Sequence, residues 1–176
     1  AAFVRSAASL DRPDIQLVFQ PARRPSPKFP YPVGHGFAIS PVELYARSRG
    51  HITLDGNDPI AAPLVDTNLL SAPEDLLPLI DGIRLARQIL AAPAFSKYRA
   101  VETTPGPAAQ TDAELEAYVR AEAYSVHHPV SSCRMGSDTE AVVDPQLRVY
   151  GIQNLRIADA SVFPSIIGGN TNAAVV

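Results

Sequence analysis

The order in which two hydrophobic periods occur along this chain limits its fold more than any other feature. Segments that alternate apolar and polar residues and are rich in β-formers come early, at residues 14–21 (DIQLVFQP), 37–45 (FAISPVELY) and 51–54 (HITL). Each reads as a strand, and Pro41 hints that the second one is an edge strand or carries a bulge. The helical period begins only afterwards. Several strands followed by helices, without regular βα alternation, point to an α+β fold.

Two capping boxes mark the helices. Ser71-Ala72-Pro73-Glu74 predicts a start with proline in the first turn, and Leu76, Ile80, Ile83, Ala86 and Leu90 then form one apolar stripe. Pro78 is expected to kink or restart this helix, because it donates no backbone hydrogen bond. Thr111-Asp112-Ala113-Glu114 predicts a second, shorter helix ending near Ala123. Further strands are expected at 149–150 and 155–159. The 17 prolines stand well above the ~5% of ordinary usage. They concentrate in residues 22–36, which read as an ordered or semi-ordered loop and not as a domain linker.

Composition narrows the function classes. A chain of 176 residues can bury a real core as one domain or slightly more. A net charge of -3 provides no basic footprint for nucleic acid, and no apolar run approaches the ~20 residues of a membrane span. One cysteine allows no disulfide within the chain. The sequence opens at AAFVRS, without an initiator Met or a signal peptide, and assigns no compartment.

The densest chemistry lies in residues 127–176. It reads HHPVSSCRMG, then VVDP, then LRIADAS, then GGNTNAAVV. These four blocks resemble, in order and spacing, the C-terminal signature of the glucose–methanol–choline (GMC) family of flavin-dependent alcohol oxidoreductases. The Ser-Arg-Gly block at 48–50 and the Ala-Pro-Leu-Val-Asp block at 62–66 extend the resemblance through most of the chain. Two departures stand out. Ser131 and Ser132 occupy the place of the family's Gly-Thr, and Ala174 the place of its Pro. Serine there restricts backbone angles that glycine permits.

The resemblance implies an antiparallel substrate-binding domain backed by helices over residues 1–123. It makes residues 124–176 the active-site segment that returns to an FAD-binding domain. No Gly-x-Gly-x-x-Gly occurs, so the dinucleotide cradle is expected on a longer chain that carries an N-terminal FAD-binding half and a final helix. The implied partners are FAD, a small-molecule alcohol, O2 or a quinone-type acceptor, and that remaining half. A hydroxynitrile lyase-like enzyme and a non-enzymatic binding module are the alternative readings.

Within this signature, the resemblance makes His128 the general base that takes the alcohol's hydroxyl proton while hydride passes to flavin N5. Imidazole suits the task near neutral pH, and Pro129 holds His128 extended. The plainer alternative is a histidine satisfied by backbone groups. Asn172, by the same resemblance, donates to the substrate oxygen; otherwise it is a helix N-cap. Asp159, Ala160, Thr171 and Ala173 are implied to lie against FAD, as is Asn172, with a turn or cap as the alternative for the Asp159 side chain. Gly168 and Gly169 are expected to let the backbone pass close to a flat ring. Arg134 is expected beside Asp144 or Asp159, and Cys133 as a buried small hydrophobe.

Overall fold

A computed structural model describes residues 1–22 and 34–176; most of the expected proline-rich loop lies outside the described residues. Two compact units form, one from residues 1–44 and 73–123 and the other from 45–72 and 124–176. Their elements are small antiparallel sheets with helices.

The first unit holds three of the strands. β1 (Ala2–Val4), β2 (Ile15–Gln20) and β3 (Ala38–Glu43) pair antiparallel in that order. Leu17 stands opposite Pro41, and Ile15 opposite Glu43. Side chains opposite one another share a face, so Ile15, Leu17, Pro41 and Glu43 point the same way. Helix α1 (Leu76–Ala91) covers that face. Ile15, Leu17, Leu76, Ile80, Ile83 and Ala86 are buried, with Leu115 and Val119 from α2 (Asp112–Glu122).

Glycine in mid-helix costs about 1 kcal/mol relative to alanine. Gly82 is explained by what it touches. A Cβ there would lie 2.5 Å from Pro41 Cβ and 3.5 Å from Ile15 Cγ2, so only glycine lets helix and sheet approach this closely. Gly82→Ala is expected to destabilise the protein by about 1–3 kcal/mol through overpacking, read as a lower denaturation midpoint. An unchanged midpoint would show that the contact yields freely.

The two helix starts came out differently. At α2 the capping box forms: Thr111 Oγ1 accepts from the Glu114 backbone N–H at 3.3 Å, and Glu114 Oε2 accepts from the Thr111 N–H at 2.8 Å. At α1 it does not. A 3₁₀ turn at Pro73–Asp75 intervenes, and α1 starts at Leu76 with Asp75 in the N-cap position and no side-chain cap bond. Pro78 produces no break, contrary to expectation. It is the third residue of the helix, where a backbone N–H would have no intrahelical partner to lose. Arg84 pairs with Asp112, and Arg87 forks onto Glu102 (Nη2–Oε1 2.9 Å).

Where β3 ends and α1 begins, Glu43 meets Asp75, which is 1% exposed. Burial, then the charge of Asp75 and the hydrogen bond between the two carboxyl groups, then the charge of Asp14, push the Glu43 carboxyl up to about 8. The folded protein therefore keeps a proton on Glu43 that the unfolded chain releases near the ordinary value of 4.5. The associated stability is complete below the unfolded value and is lost as pH rises toward 8. Glu43→Gln imitates the protonated form, so it is expected to narrow the fall in melting temperature between pH 5 and pH 8. An equal fall in both proteins would refute this assignment.

The second unit contains less regular structure. β4 (His51–Thr53) and β5 (Leu64–Asp66) form an exposed antiparallel pair. The strands expected at 149–150 and 155–159 are reduced to isolated bridges: Met135 with Val143, Val143 with Val149, and Arg148 with Arg156. The reason is local. Leu147, Gly151 and Asn154 all take positive φ (65°, 77° and 59°), which interrupts extended backbone every few residues. Val143, fully buried, sits at the crossing of these bridges. Among the described residues no helix is long and apolar enough to cross a membrane.

Candidate active site

The four sequence blocks of residues 127–176 are joined by hydrogen bonds between them. Cys133 N–H donates to Ser161 O at 3.0 Å and Met135 N–H to Val162 O at 2.8 Å, which ties the histidine block to the 3₁₀ turn Ala160–Val162. Gly136 N–H donates to Val143 O at 3.0 Å, and Tyr150 Oη donates to Gly136 O at 2.9 Å. These bonds hold the histidine block against the Val-Val-Asp-Pro block. The fourth block is joined through His128 itself.

His128 is half-buried and both its ring nitrogens are engaged. Nδ1 lies 3.0 Å from Thr171 Oγ1, and Nε2 lies 2.7 Å from Asn170 Nδ2. An amide NH2 can only donate, so Nε2 acts as the acceptor and carries a lone pair. The single proton of the neutral ring then resides on Nδ1 and is donated to Thr171. Both partners are neutral. Histidine satisfied by backbone groups, the plainer alternative, is not what forms here.

The positions predicted around His128 divide. Thr171 meets it through its buried side chain (6% exposed). Asn170, one residue before Thr171, is a partner that the sequence reading did not single out; attention there falls on the second asparagine of the motif. Asn172 and Ala173 are exposed and open the one-turn helix α3 (Asn172–Val175). Asn172 is not an N-cap. Thr171 holds that position with helical backbone angles and no side-chain cap bond, and its hydroxyl is directed at His128.

Other expectations also shift. Asp159 Oδ1 accepts from the Ser161 backbone N–H at 2.7 Å and caps the turn. Hydrogen bonds from Ser161 hold this carboxyl below the usual carboxylate range. Arg134 pairs with neither Asp144 nor Asp159. It forks onto Asp138 (Nη2–Oδ1 2.6 Å), four residues on, while Asp144 pairs with Arg148 at 2.7 Å. Gly168 is reserved for packing within the protein, since a Cβ there would overlap the Tyr45 ring. Gly169 alone of the pair leaves open space. Cys133 is only half-buried.

The backbone that presents His128 is bent on both sides. His127 and Ser131 take φ of 65° and 74°, in the left-handed region. A side chain with Cβ pays about 1–2 kcal/mol there, which explains why the family block places glycine at the second position. Ser131→Gly is expected to raise stability by roughly 0.5–1 kcal/mol, the relieved strain outweighing the added freedom of the unfolded chain. A lower melting temperature in that variant would refute the reading.

Comparison with known proteins places the chain. The family model described as GMC oxidoreductase matches residues 46–176. An alcohol dehydrogenase [acceptor] of Pseudomonas putida is 41% identical over 174 residues, covering 99% of this chain and 32% of that protein. An oxygen-dependent choline dehydrogenase of Rhizobium rhizogenes is 42% identical over 173 residues, covering 97% of this chain and 32% of its own length. Among solved structures, pyridoxine 4-oxidase from Mesorbium loti superposes with a TM-score of 0.90 at 27% identity, over 99% of this chain and 35% of that one. A fungal aryl-alcohol oxidase gives a TM-score of 0.74 at 28% identity, over 93% of this chain and 26% of its own. The chain belongs to the GMC oxidoreductases, a family of FAD-dependent oxidoreductases of the alcohol-oxidising type. It spans about a third of the length of the curated relatives it matches.

The residues at hand fit a flavin. The space beside Gly169 is open, Ala173 is exposed, and Ala160 brings little bulk, so a flat ring system can approach main chain.

Proposed function

We propose that this chain is the C-terminal part of an FAD-dependent alcohol oxidoreductase, acting on a CH–OH group together with a partner half that carries the Gly-rich FAD-binding motif. Residues 1–123 serve as the substrate-binding side. Residues 124–176 serve as the active-site segment and the C-terminal part of the FAD-binding domain. When bound, the flavin supplies the hydride acceptor at N5, and O2 or a quinone-type compound is the final acceptor.

Five residues of this chain, Asp159, Ala160, Thr171, Asn172 and Ala173, are assigned to hold the cofactor. The Nε2 lone pair of His128 accepts the hydroxyl proton of a small-molecule alcohol. As that proton arrives the ring becomes cationic, and its Nδ1–H keeps its bond to Thr171. Asn172 donates to the substrate oxygen as negative charge develops there. Asparagine cannot act as a base, which leaves the proton transfer to His128 alone.

The observation that supports this reading is the hydrogen-bond pattern of His128, whose Nε2 is an acceptor while Nδ1 is held by Thr171. The names of the curated relatives, an alcohol dehydrogenase and choline dehydrogenases, agree with it. In the flavin-loaded enzyme that contains this chain, His128→Ala is expected to lower kcat by about 10²–10⁴-fold with flavin absorbance retained. Addition of a primary alcohol to the unaltered enzyme without oxygen is expected to bleach the flavin. Near-full turnover in the variant would sink the assignment of His128. Aldehyde formation with no bleaching would replace the oxidoreductase with a lyase.

A further inference from the structure

We propose that Asn170 and Thr171 form a two-sided clamp that sets the tautomer of His128, with Thr171 as the positioning residue and Asn170 as a place-holder that the substrate hydroxyl displaces. The inference rests on the reading of His128 as the base and adds to it how the base is kept ready.

The argument begins with hydrogen-bond inventory. Neutral imidazole has one N–H and one lone pair, and either nitrogen can carry the proton. The Asn170 amide nitrogen at 2.7 Å has hydrogen to give and no lone pair to offer, so it selects a bare Nε2. Thr171 Oγ1 at 3.0 Å then receives the Nδ1–H. Within this chain Thr171 is buried and Asn170 is exposed, so one side of the clamp is packed in place and the other opens outward, toward the side where substrate would arrive.

Exposure decides which contact yields. A hydroxyl arriving at Nε2 competes with the Asn170 amide for the same lone pair, and the solvent-facing side chain can move aside. Once Nε2 has gained a proton it is a donor, and the Asn170 NH2 is a donor too. The two can no longer face each other. Asn170 can then rotate its amide to present Oδ1, whereas Thr171 keeps its bond in both states of the ring. The proton moves from the substrate oxygen to Nε2, and no other bond changes in this step.

The test uses the flavin-loaded enzyme with ¹⁵N-labelled histidine. The two-bond ¹H–¹⁵N spectrum distinguishes the Nδ1–H from the Nε2–H tautomer. The resting enzyme is expected to show the His128 pattern of the Nδ1–H form, and observation of the Nε2–H form would overturn the proposal without any variant. Thr171→Val removes the acceptor while keeping the branched shape. With Asn170 still donating to a bare Nε2, it is expected to keep the Nδ1–H pattern but to lower kcat about tenfold, the equivalent of the one hydrogen bond lost at Nδ1, with a small change in KM. Thr171→Ser is expected to restore kcat. Asn170→Ala is expected to lower KM, because no displacement is needed, and to bring in the Nε2–H form, because the Thr171 hydroxyl can donate to a bare Nδ1 as well as accept from Nδ1–H. An unchanged kcat in Thr171→Val, or a pure Nδ1–H pattern kept in Asn170→Ala, would overturn the clamp. If instead His128→Ala keeps its activity while these spectra come out as expected, the clamp stands and the base assignment falls.

Discussion

Every backbone N–H and C=O in a folded chain must find a partner, and in residues 124–176 this requirement falls on a segment with almost no regular structure. The solution is to bond one motif to another. Cys133 and Met135 donate into the turn at residues 160–162, Gly136 donates to Val143, and Ile157 donates to Leu147 at 3.1 Å. The position of His128 follows from these bonds. Its neighbour turn is anchored through Asp159, and the far side of its ring is held by Thr171. Separating the histidine block from the turn at residues 160–162 or from Val143 would leave backbone groups unpaired.

Charge and neutrality are used for different ends. Asp138, Asp144 and Asp159 are spent on local architecture, each accepting backbone N–H groups and two of them pairing with an arginine four residues away. In the other unit, two carboxyl groups meet between strand and helix and one keeps its proton. Around His128 the partners carry no charge.

Much of the architecture was legible in the chain. The strands at 14–21, 37–45 and 51–54 correspond to β2, β3 and β4, and the Thr111 capping box opens α2 as expected. These are local signals, encoded in period and in side-chain to backbone reach. The failures share a different origin. The Ser71 box competed with a 3₁₀ turn, and Pro78 fell in a first turn that has no bond to break. The expected C-terminal strands gave way to residues in left-handed conformation, among them leucine and asparagine, which no period announces.

The sequence by itself determined the class of chain, α+β strands before helices, the family signature, and the histidine at its centre. Those depend on residue type and spacing, which are written in one dimension. Tertiary structure decided the partners. Residues 42 and 43 positions apart met at the two nitrogens of one ring, Gly168 was claimed by Tyr45, and Arg134 chose Asp138 over two more distant aspartates. Which donor reaches which acceptor depends on how loops close in three dimensions.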